Sequence, residues 1–174
     1  MDKVTRIIEN QNEEIEHLIS ECSVLRRPPG NNGGKKRKYL DVITAFDIET
    51  TSFAEIEQAS MYLWQFAWDD SIVILGRTYA SLISFFRSVI RACRKKDAYI
   101  VMYVHFLSHE FQYFTGFYSF RPDEVFAVRS HRVAWCLMGG GIEFRCSHIL
   151  TNMSLEEFTK KWECRWLRGR WIIQ

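Results

Sequence analysis

The sequence predicts an α/β domain with a mixed β-sheet flanked by helices, and three observations support that fold class. Three runs rich in β-branched and aromatic residues follow one another between residues 39 and 78, as in an antiparallel meander. An amphipathic pattern then predicts a helix over 79–96, whose basic end suits its C-terminal dipole. The next run, 98–106, is almost continuously apolar, which is typical of a buried and often parallel strand.

Length and composition are those of one globular domain. The chain has 174 residues, of which 47% are hydrophobic and 15% aromatic, enough to build a packed core. The net charge is only +2, so positive charge is concentrated locally, in the basic stretches 35–38 and 160–170. The five cysteines lack CxxC spacing, no signal peptide opens the chain, and no apolar run reaches the roughly 20 residues of a membrane helix. We therefore expect a soluble, cytoplasmic protein with reduced thiols.

The N-terminal region, 1–27, predicts one amphipathic helix. Apolar residues recur at heptad-like spacing over 3–26, and the series is broken only at Gln11. Such a helix either packs on its own domain, which we favour, or forms a coiled coil with a partner. Residues 28–38, PPGNNGGKKRK, predict a flexible basic linker because Pro and Gly do not continue a helix. The folded domain is therefore predicted to span 39–161.

The folded domain is predicted to begin with three strands. A turn is predicted at Asp69-Asp70-Ser71, between the second and third strands. The predicted strand ranges are 39–49, 60–70 and 71–78.

The second half of the domain predicts a short helix, further strands and a final helix. The short helix covers 108–117, with Ser108 as its N-cap and Gly116 near its end. Residues 124–150 predict two or three strands with a tight connection at Gly139-Gly140-Gly141. Ser154 stands three residues before Glu157, which is the spacing of a capping box that opens a helix.

Two carboxylates stand one residue apart in the stretch TAFDIETTSF, at the predicted end of the first strand. Strand side chains alternate, so Asp47 and Glu49 face the same side of the sheet. Glu110 begins the helix after the strand at 98–106, and it faces the acid pair if the two strands are neighbours. Mg²⁺ or Mn²⁺ requires clustered carboxylate oxygens, and two such ions about 4 Å apart support phosphodiester cleavage. The plainer interpretation is a solvated pair of acids.

Three stretches resemble a known family. FDIETT at 46–51 and YVHFLSHEF at 103–111 resemble the first two motifs of the 3′-to-5′ proofreading exonuclease domain of B-family DNA polymerases, particularly the protein-primed polymerases of bacteriophages. FRCSHILTNMSLEEF at 144–158 is similar to the single-strand-binding segment of that domain. The resemblance covers about 39–161 and implies a ribonuclease-H-like mixed sheet flanked by helices.

The resemblance also implies roles for individual residues. Asp47, Glu49 and Glu110 would be the catalytic, metal-binding residues, with Mg²⁺ or Mn²⁺ as cofactor and Glu49 orienting the attacking water. The implied partners are the 3′ end of single-stranded DNA or a primer-template, and a terminal priming protein; no membrane is involved. The implied DNA-binding residues are Thr50, His105, Phe106, Leu107, Phe111 and Ser147.

The chain departs from the family pattern in the second motif. The family shows His-Asn-Leu followed three residues later by Asp, and this chain has Phe106 in place of Asn and Glu110 in place of Asp. Glu110 keeps the charge but adds a methylene, whereas Phe106 removes a polar contact to DNA. The third motif, Tyr-x-x-x-Asp, and the polymerase palm motifs are not found in this sequence. The resemblance therefore implies weak metal binding and poor cleavage by the isolated chain.

The last stretch, WECRWLRGRWIIQ at 162–174, breaks the composition of the helix before it. Reading the coding strand one base earlier turns Trp171-Ile172 into a forced Asp codon and permits Lys-Gly-x-x-Asp-Tyr, a segment that polymerases of this family carry next. We hypothesise that the chain is the N-terminal piece of a larger polymerase gene, shortened by a frameshift at the Lys160-Lys161 codons. The alternative is a basic aromatic tail that binds nucleic acid.

Other functions stay open at this point. The chain could be a non-catalytic module that binds single-stranded DNA or a protein and keeps only the fold, which Phe106 and Glu110 favour. A complete stand-alone nuclease would need another acid from the tail, where Glu163 is available. His105 and His109 stand four residues apart, but zinc binding is the least favoured interpretation.

Overall fold

The computed structural model describes residues 6–9, 12–26, 37–53 and 58–161. The strands are β1 (Arg6–Glu9), β2 (Val24–Arg26), β3 (Lys38–Leu40), β4 (Thr44–Phe53), β5 (Gln58–Trp68), β6 (Ile72–Gly76), β7 (Ile100–Val104), β8 (Val125–Arg129), β9 (Arg132–Met138) and β10 (Ile142–Cys146). The helices are α1 (Asn12–Glu21), α2 (Tyr79–Lys95), α3 (Leu107–Thr115), α4 (Ser147–Thr151) and α5 (Leu155–Lys161), and a 3-10 turn covers Pro122–Glu124.

The described strands form one mixed eight-stranded sheet in the order β1-β6-β5-β4-β7-β10-β9-β8, and β2 pairs with β3 separately. The meander β4-β5-β6 is antiparallel, β7 lies parallel to β4, and β10 lies parallel to β7. Strands β9 and β8 extend the sheet in antiparallel pairs. The predicted α/β fold with a mixed sheet flanked by helices is thus confirmed, including the meander and the buried parallel strand.

The prediction of one helix over 3–26 is wrong. Arg6–Glu9 is a strand that pairs in parallel with β6, so its conformation is decided by a partner more than 60 residues away in sequence. The helical part is limited to α1, and Val24–Arg26 pairs with β3. Periodicity alone does not show such non-local pairing. Both strands bind this region to the rest of the fold, so it is not a separate N-terminal helix.

Helix α1 packs on its own domain, as the favoured alternative predicted. Ile15 and Ile19, one turn apart, are fully buried in the core, and α1 contacts α2. Arg91 of α2 donates a hydrogen bond to Glu16, which also lies on this contact. Of the predicted linker, 28–36 lies outside the described residues, while Lys38 already belongs to β3.

A cluster of aromatic rings fixes the elements that matter for the site. Phe46 of β4, Phe86 of α2, Phe114 of α3 and Phe144 of β10 are all buried. Their ring centroids lie 5.1 Å apart for Phe46 and Phe86, and 4.5 Å apart for Phe114 and Phe144. Each such burial stabilises the fold by about 1.5–3 kcal/mol, and the ring pairs add about 0.5–1.5 kcal/mol. The cluster therefore holds β4 and α3 in a defined relative position.

Local capping and turn predictions have mixed outcomes. The capping box of α5 is confirmed, because Glu157 N donates to Ser154 Oγ at 3.2 Å and Ser154 N donates to Glu157 Oε2 at 2.9 Å. Gly139 has φ 60°, as a tight connection between β9 and β10 requires. The prediction of Ser108 as an N-cap is wrong. Its hydroxyl accepts a hydrogen bond from Val133 N at 2.8 Å and so joins α3 to β9.

The described cysteines, Cys22, Cys93, Cys136 and Cys146, are free thiols. Burial raises the pKa of Cys93 to about 12 and also raises that of Cys136, which keeps both protonated at neutral pH. Across the described ranges, the helices are too short or too polar to cross a membrane.

Candidate functional site

The predicted carboxylates line one hollow beside β4. The hollow has a volume of about 1040 Å³, and Asp47, Glu49 and Glu110 all contribute to its lining. It opens here because β7 pairs with β4 only at Thr44 and Ala45 and then ends at Val104. The chain turns from β7 into α3, so the strand and the helix diverge next to Asp47. We call this cavity the acid hollow.

Asp47 and Glu49 lie within β4 rather than at its end, which corrects the predicted strand boundary at 49. The strand continues to Phe53 after a register shift between Glu49 and Thr50. Alternation turns both acids to one side, and the bulge brings Thr50 into the lining of the same hollow. Burial first, and then the negative charge of Asp47, raise the pKa of Glu49.

Gln65 supports Asp47 from the neighbouring strand. It stands directly opposite Asp47 in the β4-β5 pairing and is only 6% exposed. Its Nε2 donates a hydrogen bond to Asp47 Oδ2 over 3.4 Å. Gln65 is the polar residue within the apolar run YLWQFAW of β5. Strand pairing could have identified it, whereas the motif comparison did not.

Glu110 is the most perturbed carboxyl in the acid hollow. It shares the buried face of α3 with Leu107 and Phe114 and is 3% exposed. Burial, and secondly the charge of Asp47, raise its pKa to about 8. Its Oε2 atom has no hydrogen-bond partner among the described residues. A buried acceptor without a partner is costly, so this oxygen is suited to a proton or a cation.

The donor chemistry of the hollow suits Mg²⁺ or Mn²⁺, since three carboxyl groups line it and one buried oxygen has no partner among the residues that the structure describes. Asp47 and Glu49 would hold the cation, and Glu110 would add its free oxygen. Within the ranges that the structure describes, no three His, Cys, Asp or Glu side chains are grouped closely enough to hold a metal ion. The three acids therefore share a hollow without forming a closed ligand set.

Histidine and phenylalanine side chains form the rim where β7 turns into α3. His105 Nδ1 lies 3.1 Å from Ser147 Oγ, and its Nε2 is buried without a described partner. Burial, and secondly the charge of His148, lower the pKa of His105, which favours the neutral imidazole. His148 also stacks on Phe106, with the ring centroids 4.1 Å apart. The sequence analysis did not single out His148, because its place at this rim depends on a stack that forms only in three dimensions.

Phe106 has an unusual backbone conformation. Its φ of 61° and ψ of 49° lie in the left-handed region, and its side chain is 52% exposed. That region costs about 1–2 kcal/mol for ordinary residues and less for Asn. Phe106 therefore holds a backbone conformation that Asn would adopt at lower cost.

The remaining predicted DNA-binding residues lie in three different environments. Thr50, His105, Phe106 and Phe111 line the acid hollow, and Phe111 also packs against Phe120, with ring centroids 4.9 Å apart. Ser147 lines the neighbouring cavity instead. Leu107 is fully buried in the core, which leaves its side chain no exposed surface in this structure.

Fold and site together define an α/β domain with a carboxylate-lined hollow at a split in its sheet. No family model matches the chain, and searches of curated proteins and of solved structures find no match either.

Proposed function

We propose that this chain is the exonuclease-like N-terminal part of a B-family DNA polymerase, acting on the 3′ end of single-stranded DNA in the cytoplasm of a bacterial host. One observation carries the proposal. Asp47 and Glu49 from β4 and Glu110 from α3 line one hollow, where Glu110 is buried and one of its oxygens has no hydrogen-bond partner within the described ranges. Acids in this arrangement either take up protons or bind cations.

The topology supports the same proposal. An antiparallel meander is followed by two strands parallel to its first strand, with helices packed alongside, which is compatible with a ribonuclease-H-like sheet. The hollow lies where the first strand of the meander separates from its parallel neighbour. Open α/β sheets bind ligands at such points, where neighbouring strands part and leave a crevice.

Each side chain has a task that follows from its position. Asp47 and Glu49 bind the cation, and Gln65 holds Asp47 in place. Bound there, Mg²⁺ or Mn²⁺ supplies charge stabilisation at phosphate oxygens and lowers the pKa of a water molecule. Phe106 offers an exposed ring for a base of the frayed strand to stack on. A terminal priming protein belongs to the same proposal as a partner of the parent polymerase.

Cleavage of a 3′-labelled single strand with Mn²⁺ tests the proposal. Asp47→Asn should lower the rate by more than about 100-fold, because even outer-shell partners of a metal change affinity or activity by 10–100-fold. Asp41→Asn is the matched control, since Asp41 is an exposed acid in the turn before β4. Equal residual cleavage by wild type and Asp47→Asn would remove the catalytic assignment.

A second function, non-catalytic binding of single-stranded DNA, is favoured by the exposed Phe106 ring and the raised pKa of Glu110. Two measurements separate the functions. Heat stabilisation by Mn²⁺ that is lost in Asp47→Asn supports the metal site. Fluorescence anisotropy with a labelled oligonucleotide supports the binding module if affinity falls in Phe106→Ala but is unchanged by Mn²⁺ and by Asp47→Asn.

A further inference from the structure

An apolar groove of about 450 Å³ lies next to the acid hollow. Its floor is formed by small or branched residues of the meander, and its wall by residues of α4 and α5. The floor residues are Ala45, Ala67 and Val73, and the wall residues are Leu150, Leu155 and Phe158. The two alanines leave the depth that larger strand residues would fill.

The groove concentrates apolar surface that nothing in the described part of the chain covers. Ile43, Leu150 and Leu155 all line it, and they are 73%, 66% and 40% exposed. Scattered exposed apolar residues are ordinary, but a contiguous set around a concave floor marks a surface that takes an occupant. An occupant with large apolar side chains would remove this surface from water.

The polar end of the groove indicates the charge of the occupant. Asp47 and His105 line both the groove and the acid hollow. Asp47 is the acidic residue among the described residues of the groove lining, and no Lys or Arg is among them. An apolar occupant that also carries a cation therefore suits the groove best.

The chain itself supplies a segment of this chemistry. Leu155 and Phe158 of α5 already belong to the wall, and the same spacing of three or four residues continues in the sequence to Trp162 and Trp166. Residues 162–174 lie outside the described residues, and they combine large apolar side chains with Arg165, Arg168 and Arg170. A segment joined directly to the wall of its binding site acts at an effective concentration in the millimolar range.

We propose that residues 162–174 bind in the apolar groove of their own chain, with tryptophan side chains over Ala45 and Ala67 and an arginine beside Asp47. The inference goes beyond the proposed nuclease function and does not depend on it. It assigns the groove an occupant from the same chain.

Limited trypsin digestion of the full chain tests this binding, with cleavage after Arg165, Arg168 and Arg170 followed by mass spectrometry. Leu150→Asp places a charge in the wall of the groove, and Val128→Asp is its matched control, because Val128 is a 56% exposed residue of β8 outside the lining. We expect cleavage of the tail to be at least about 10-fold faster in Leu150→Asp than in wild type and unchanged in Val128→Asp, since proteolysis follows the open population.

Two outcomes would overturn the proposal. One is cleavage of the wild-type tail as fast as in Leu150→Asp and as fast as in a free peptide of residues 162–174. The other is protection that increases with protein concentration together with dimers in sedimentation, which would mean that a second copy covers the groove. Thermal melting of both variants controls for unfolding, and Leu150→Ser repeats the test if Leu150→Asp melts earlier than Val128→Asp.

Discussion

The buried carboxyl of Glu110 makes the stability of the metal-free fold depend on pH. Its pKa is raised from 4.5 to about 8, so between these values the folded protein keeps a proton that the unfolded chain has lost. The unfolded state then binds fewer protons, and stability falls as pH rises. Burial of Glu110 therefore lowers the free energy of unfolding least below pH 4.5 and by its full amount above about pH 8.

The magnitude follows from the same numbers. At about 1.36 kcal/mol per pH unit, the loss between pH 5 and pH 7 is about 2.5 kcal/mol, and the complete cost is about 5 kcal/mol. Because Glu110 is 3% exposed, solvent screening does not reduce this cost much. A domain is stable by only about 5–15 kcal/mol, so the effect is large enough to measure.

Glu110→Gln removes the titrating group and keeps the shape of the side chain. Urea unfolding in EDTA at pH 5, 6, 7 and 8 should show the free energy of unfolding of wild type falling by about 2.5 kcal/mol from pH 5 to pH 7 relative to the variant. Glu13→Gln, at an exposed position of α1, controls for the loss of a negative charge. Parallel curves for wild type and Glu110→Gln would refute the assignment of a raised pKa to Glu110.

Three further substitutions test the packing around the site by urea unfolding. Phe114→Ala should lower the free energy of unfolding by about 3–5 kcal/mol, because it opens a cavity in the aromatic cluster, and a loss below about 1 kcal/mol would contradict the role of that cluster. Phe106→Asn should change stability by less than about 1 kcal/mol, since relief of left-handed strain offsets the lost stacking on His148, whereas a β-branched Phe106→Val should cost more than about 1 kcal/mol; equal effects would argue against strain. Gly139→Ala should cost at least about 1 kcal/mol, because φ is 60° and an added Cβ would lie 2.7 Å from Ile90 Cδ1; an unchanged midpoint would show that the turn adapts.

Local patterns predicted the central elements of the fold well. The meander, α2 and β7 each have a clear periodicity or a continuous apolar run, and short turns leave few alternatives for how they pair. The N-terminal region failed because Arg6–Glu9 pairs with β6, which is distant in sequence. The strand end at Glu49 was misplaced for a related reason. The bulge after Glu49 and the pairing up to Phe53 depend on β5.

In the candidate site, too, local patterns were predictive and contacts between distant residues were not. Alternation in β4 was enough to predict that Asp47 and Glu49 share a side. The approach of Glu110 was predicted only on the condition that β7 lies beside β4, and the structure meets that condition. The burial of Glu110 was missed, although its spacing from Leu107 and Phe114 places all three residues on one face of α3. Leu107 was assigned to DNA from the motif alone, while its position on that same face buries it.

Asp47 and His105 line both the acid hollow and the apolar groove, so we expect occupation of the two cavities to be linked. A cation at Asp47 and an arginine of residues 162–174 beside Asp47 would compete for the same carboxylate charge. Linkage is reciprocal, so the factor by which the segment weakens Mn²⁺ binding must equal the factor by which Mn²⁺ weakens binding of the segment. Saturating Mn²⁺ should therefore speed tryptic cleavage of the tail in wild type and leave it unchanged in Asp47→Asn. Equal acceleration in both proteins would mean that the cation acts elsewhere, and no acceleration would mean that the segment binds without using Asp47.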